Sequence, residues 1–150
     1  MLRATEFLKS CPGPFIDEVV LDYEDRHRRR IMMRGEAGTR FLLDLSDVAD
    51  MRDGDGLVLS SGVVVRVRAA EEALMEIACA DPLHLARIAW HIGNRHLAAE
   101  IHAGAIRVRA DHVIADMAIR LGAEVRNLRA SFNPEGGAYA RSSVQTHAHG

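Results

Sequence analysis

The spacing of apolar positions changes near residue 70. Before it, apolar residues alternate or come in short runs bounded by turn residues, which is the grammar of strands. "EVVLDY" (18–23), "RRRIMMR" (28–34) and "TRFLLDLSDV" (39–48) each predict one strand. "GLVLSSGVVVRVRA" (56–69) predicts a hairpin turning at Ser61-Gly62. The "DGDG" cluster at 53–56 reads as a tight turn: Asp53 and Asp55 suggest a fragment of a calcium loop, but the other ligand positions are absent. No helix with a clear cap is visible in this half, so residues 1–70 are expected to form a small β-domain.

After residue 70 the period alternates between two and 3.6. "EEALMEIA" (71–78) predicts a strand. Asp81-Pro82 supplies a cap followed by proline at the first helical position, and Leu85, Ile88, Ala89 and Ile92 make one apolar helix face. Gly93-Asn94 is the expected stop. "HLAAEI" (96–101) and "AIRVRA" (105–110) predict two strands about Ala103-Gly104. Asp111 caps a second helix with Val113, Ile114, Met117, Ala118 and Leu121 on one face and Gly122 as its stop, and "AEVRNLRASF" (123–132) is a last strand. The β-α-β-β-α-β order predicts a ferredoxin-like domain over 71–139. Small and polar residues dominate beyond Phe132, so 140–150 is expected to be a flexible tail. The fold class expected is therefore α+β.

Composition narrows the function classes without choosing one. With 150 residues, 48% of them apolar and 27% charged, the chain has an ordinary globular make-up. A net charge of −2 gives no reason to expect nucleic acid, and the alternating Arg66-Val67-Arg68 reads as the outer face of an amphipathic strand. No apolar run is long enough to cross a membrane, and "MLRATEFLKSCPGPF" does not read as a signal peptide. Two distant cysteines, Cys11 and Cys79, make neither a disulfide framework nor a zinc-finger pattern, so the expected location is cytoplasmic.

The histidines change the picture. Of eight, seven lie after residue 80. His91 and His96 flank the Gly-Asn break: a polar helix end facing water, or a metal site, since neutral imidazole is a common ligand for late transition metals. His84, seven residues before His91, reads as part of a solvated helix face, and His27 and His102 carry no pattern. His112 stands at a helix N-terminus, which disfavours protonation and suits either a ligand or a plain surface residue. His147 and His149, two apart, project to one side of an extended chain and form a short metal-binding tract. No G-x-S-x-G, H-E-x-x-H or phosphate-cradling loop occurs, and Ser142-Ser143 lies in the tail. Three readings remain open on residues alone: a metal carrier, a small zinc-dependent hydrolase using His91, His96 and His112, and an interaction module with incidental histidines.

"HIGNRH" (91–96), "DHVIADMAIRLGAEVRNLRASFNPEGGAY" (111–139) and a terminal histidine pair, in that order, resemble the urease accessory metallochaperone family, UreE. "DGDGLVLSSGVVVRVRAAEEAL" resembles the family's β-domain, so the likeness covers most of the chain and is least distinctive over 1–30. The resemblance implies a cytoplasmic homodimer that is a carrier and not an enzyme, with a peptide-binding-like N-terminal domain and a ferredoxin-like C-terminal one. It implies Ni(II) delivered to the urease maturation complex together with the GTPase UreG. It implies that His96 is the principal ligand, shared across the dimer interface, with His112 binding further metal and His147 and His149 adding ligands. His91 is a supporting residue in this reading. Ala110 stands where some members carry another histidine, and the tail is short, so delivery is expected and large storage capacity is not. Imidazole accepts Ni(II), Zn(II) and Cu(II) by similar chemistry, so ligand type does not name the metal.

Overall fold

The computed structural model describes residues 1–136, which form two compact units, Met1–Ala70 and Glu71–Gly136. The first is a six-stranded mixed sheet. Its strands are β1 (Arg3–Leu8), β2 (Asp17–Leu21), β3 (Arg30–Arg34), β4 (Arg40–Asp44), β5 (Gly56–Leu59) and β6 (Val64–Ala69), in the order β2-β6-β5-β1-β4-β3. A single 3-10 turn at Asp25–His27 is the one helical piece among the described residues of this unit. Alternation gives the core directly: Val19 and Leu21, Met33, Phe41 and Leu43, Leu57 and Leu59, and Val65 and Val67 are buried together. Arg66 and Arg68 take the alternate, more open positions of β6, the amphipathic pattern read from the sequence.

Aspartates fasten the turns of this unit. Asp55 is 1% exposed and accepts from the backbone N–H of Ser10 and Arg52 and from Lys9 Nζ, while Asp53 accepts from the Ala69 N–H. The "DGDG" cluster is thus a turn whose carboxylates are already committed to the chain. Asp17, at the start of outer strand β2, accepts from the N–H groups of Glu18, Ala37 and Thr39, and so ties the β3–β4 turn to the opposite edge of the sheet. A Cβ at Gly35 would collide with that carboxylate, which explains glycine there.

The second unit runs β7 (Glu71–Ala78), α1 (Pro82–Asn94), β8 (Glu100–His102), β9 (Ala105–Arg109), α2 (His112–Arg120) and β10 (Glu124–Ser131). Its four strands are all antiparallel, ordered β10-β7-β9-β8. Met75, Ile77, Ile106 and Val108 meet Ile88, Ile92, Ile114 and Ala118 in one core, so both helices cover the same face. Residues of opposite parity point the other way. There Glu76 accepts from Arg107 on β9 at 3.0 Å and from Arg126 on β10 at 2.7 Å. Those two guanidinium groups hold the Glu76 carboxyl below its ordinary range.

Three sequence expectations need correction. Strand β8 is Glu100–His102, shorter and later than "HLAAEI", because Leu97 is still turning back onto α1. Val113 is exposed, since the packed stripe of α2 narrows to Ile114 and Ala118 with Ala115 and Met117 beside them. Helix α1 also runs through Gly93 and Asn94, and its stop lies elsewhere.

Candidate metal site

Helix α1 starts as its sequence dictates: the Asp81 side chain accepts the His84 N–H at 2.8 Å, and Pro82 occupies the first helical position. Its end is unusual. Arg95 is the cap residue, and His96 follows with φ of 57°, in the left-handed region. The His96 N–H donates to the Gly93 carbonyl at 3.0 Å and the Leu97 N–H to the Ile92 carbonyl at 3.4 Å. This is the double hydrogen bond of a Schellman stop, in which glycine normally takes the left-handed position. A side chain there costs about 1–2 kcal/mol. The residue that ends the helix is therefore His96 itself, and Gly93-Asn94 form the last turn before it.

That geometry sets the His96 imidazole on an exposed corner, with Trp90 (64% exposed) and Leu97 also open to solvent. His91, one turn earlier, packs edge-on against Trp90 with ring centroids 5.0 Å apart. His112 opens α2, where Asp111 caps the helix by accepting the N–H groups of Val113 and Ile114. His91, Arg95, His112, Asp116, Met117 and Arg120 line a shallow open depression at these helix ends. His91 and His112 are thus brought together, while His96 lies beyond the stop and does not line it.

Among the described residues no three His, Cys, Asp or Glu side chains gather closely enough to hold a metal ion. A hydrolytic zinc centre of His91, His96 and His112 is accordingly not formed within one chain. His147 and His149, like Ser142-Ser143, lie outside the described residues. Cys79 offers no ready thiolate: burial pushes its thiol up, and the Asp81 charge adds to that.

The remaining histidines have structural duties. His84 is not a solvated face residue: its Nδ1 accepts the Ala80 N–H at 2.9 Å, and its Nε2–H donates to the Leu121 carbonyl at 2.8 Å. It therefore joins the start of α1 to the end of α2. His27 sits between the Tyr23 carbonyl at 2.8 Å and Asp50 at 3.0 Å. His102 donates to Glu100, a partner that only the i, i+2 spacing on one strand face could have suggested.

Comparison with known proteins gives the family. Residues 5–70 match the family model described as UreE urease accessory protein, N-terminal domain, and residues 72–150 match its C-terminal domain counterpart. A protein named urease accessory protein UreE from Bradyrhizobium sp. (strain ORS 278) is 54% identical over 152 residues, covering 100% of this chain and 71% of its own length. One of the same name from Rhodopseudomonas palustris (strain HaA2) is 55% identical over 127 residues, 85% of this chain and 59% of its own length. Another, from Chelativorans sp. (strain BNC1), is 48% identical over 149 residues, 99% and 94% of the two chains.

Proposed function

The chain belongs to the UreE family of urease accessory proteins, which are chaperones of urease maturation and not enzymes, and from that premise we propose that it carries Ni(II) to the urease apoprotein complex. The observation that carries this reading is His96: an exposed imidazole held at a left-handed helix stop where glycine would be more stable. One His96 supplies one nitrogen, too little to hold nickel. A homodimer supplies two, because a two-fold interface repeats each residue. Trp90, packed on His91, and Leu97, next to His96 in the chain, are exposed and give such an interface apolar surface.

In this reading His96 and its symmetry mate form the main site, and His147 and His149 with water complete its coordination. An open, partly water-ligated site suits a carrier, which must release its cargo. His112, with His91 supporting it across the shared depression, is an auxiliary ligand. Zn(II) and Cu(II) compete for the same nitrogens. The strand order of the second unit supports a ferredoxin-like metal-binding domain. The first unit is assigned as a peptide-binding-like module, with UreG and the urease assembly as partners in the cytoplasm. No helix among the described residues is long and apolar enough to cross a membrane.

The test is a calorimetric nickel titration of the native chain beside His96→Ala, with the mass of each measured in solution. One tight ion per native dimer, lost in His96→Ala without loss of the dimer, is the expected result. Equal binding by both proteins would overturn the assignment of His96.

A further inference from the structure

We propose that the open edge of β3 takes up an acidic strand of a partner protein, with two carboxylates flanking an apolar residue at alternate positions. This gives the peptide-binding role proposed for the first unit a place and a partner chemistry, and rests on that reading. Strand β3 is the last of its sheet, so one side of its backbone pairs with β4 and the other side is an edge. Hydrogen bonds at the two ends of the ladder fix which groups face out. The Leu45 N–H donates to the Arg29 carbonyl, and the Gly35 N–H to the Thr39 carbonyl. Antiparallel pairs alternate between hydrogen-bonded and not, and the register between those ends is unbroken, so Ile31–Leu43 and Met33–Phe41 carry the ladder. The backbone N–H and C=O groups of Arg30, Met32 and Arg34 therefore point to the free edge.

The same three residues send their side chains to the outer face, because Ile31 and Met33 take the core side. Met32 is 52% exposed between the two arginines. Opposite them on β4 stand Asp44, Leu42 and Arg40, with Arg3 of β1 beyond Leu42. Four guanidinium groups thus share this face with one carboxylate, and Asp44 is divided between Arg3 at 2.9 Å and Arg30 at 3.2 Å. Among the described residues neither Arg34 nor Arg40 has a carboxylate partner, Glu36 in the turn between them included. The two arginines form a non-hydrogen-bonded pair, the closer kind, with Cα atoms about 4.5 Å apart, where like charges are destabilising. Charges on an edge strand discourage chance pairing, which accounts for Arg30 and Arg34. It does not account for Arg40, whose strand lies inside the sheet. A basic patch on a chain of net charge −2 suits an acidic partner.

A strand laid along β3 directs every second side chain to this face, about 4.8 Å from Arg30, Met32 and Arg34. Carboxylates beside the two arginines and an apolar side chain beside Met32 complete it, in the order acid-x-apolar-x-acid. Main-chain bonds supply the affinity and these side chains the selectivity. A nucleic acid answers the charge but not the edge, because phosphate only accepts whereas the edge offers both N–H and C=O.

The test uses the full chain and a fluorescein-labelled peptide, Thr-Glu-Thr-Val-Thr-Glu-Thr, beside its glutamine and lysine counterparts. Anisotropy reads binding, and amide hydrogen exchange reads where it occurs. The glutamate peptide should bind at least tenfold more tightly than the glutamine one, weaken with added salt, and protect the amides of Arg30, Met32 and Arg34. The lysine peptide should not bind. Met32→Pro removes one outward N–H and spares the ladder with β4, so it should weaken the glutamate peptide at least tenfold with every charge retained. Arg34→Gln/Arg40→Gln should weaken it as much without lowering the thermal midpoint, and it keeps the test decisive where Met32→Pro does not fold. Affinity unchanged in that double variant, or amide protection elsewhere, would overturn the proposal. Equal binding of the glutamate and glutamine peptides does so too, yet leaves the first unit a peptide-binding module. Binding of none of the three removes that assignment as well. A single-stranded oligothymidylate that binds more tightly than the glutamate peptide gives the face to nucleic acid instead.

Discussion

At the scale of single residues, the role proposed for His96 separates stability from function. Its left-handed φ is a position where glycine is favoured by about 1 kcal/mol or more. His96→Gly should therefore raise the unfolding free energy by roughly that amount while abolishing tight nickel binding. Urea unfolding beside a nickel titration checks both halves, and a variant less stable than the native chain would contradict the stop geometry. His84 predicts the reverse pattern. Truncating it removes the ring partner of the Ala80 N–H and the Leu121 carbonyl, both open to water, so His84→Ala should cost about 0.5–1.5 kcal/mol and leave metal stoichiometry unchanged. Sequence spacing read His84 as part of a solvated helix face and left His96 open between a polar helix end and a ligand. The distinction rests on a contact across 37 positions and on one backbone dihedral, neither of which a local pattern encodes.

At the scale of elements, Asp17 joins β2 to the β3–β4 turn and makes that junction pH-dependent. Burial alone would raise its carboxyl, but the N–H groups of Ala37, Thr39 and Glu18 and the Thr39 side chain outweigh it, leaving the group at about 2 against an ordinary 3.8. Because the folded value is the lower one, the stabilisation is present in full above 3.8 and is lost as pH falls toward 2. The linkage is worth roughly 2 kcal/mol. Unfolding followed from pH 5 to pH 2 should show this loss in the native chain and much less of it in Asp17→Asn; equal acid sensitivity would assign the effect to other carboxylates. Much of the element order was legible in the sequence. Apolar alternation and short runs marked β2 to β6 but not β1 (Arg3–Leu8), Asp81-Pro82 and Asp111 marked both helix starts, and the β-α-β-β-α-β order of the second unit followed. What stayed hidden was non-local: the pairing of β1 with both β4 and β5, and the Asp17 clamp, whose partners lie about twenty residues away. The carboxylate beneath His102 was in plain view two residues upstream, but only strand register shows that both face the same side.

At the scale of the whole molecule, the sequence supplies one His96 per chain while the proposed nickel site needs several nitrogens, and this mismatch, more than any surface feature, is what leads the proposal to a dimer. Exposed Trp90 is the single tryptophan, next to His91 and six positions before His96, so it reports on both events. If the two-fold site is real, dimer formation should bury its indole and blue-shift its emission, and nickel should then quench it at half an equivalent per chain. The tail is a separate contributor. Deleting residues 146–150 should lower nickel affinity or stoichiometry and leave both the mass in solution and the Trp90 spectrum of the metal-free protein unchanged. A truncated protein that became monomeric would mean that the tail holds the dimer together. Acidification supplies an independent check, because protons compete with metal for imidazole nitrogen. Nickel affinity should fall between pH 8 and pH 5, and an affinity equal at both values would rule out histidine as the ligand and leave His96 as nothing more than an uncommon helix stop.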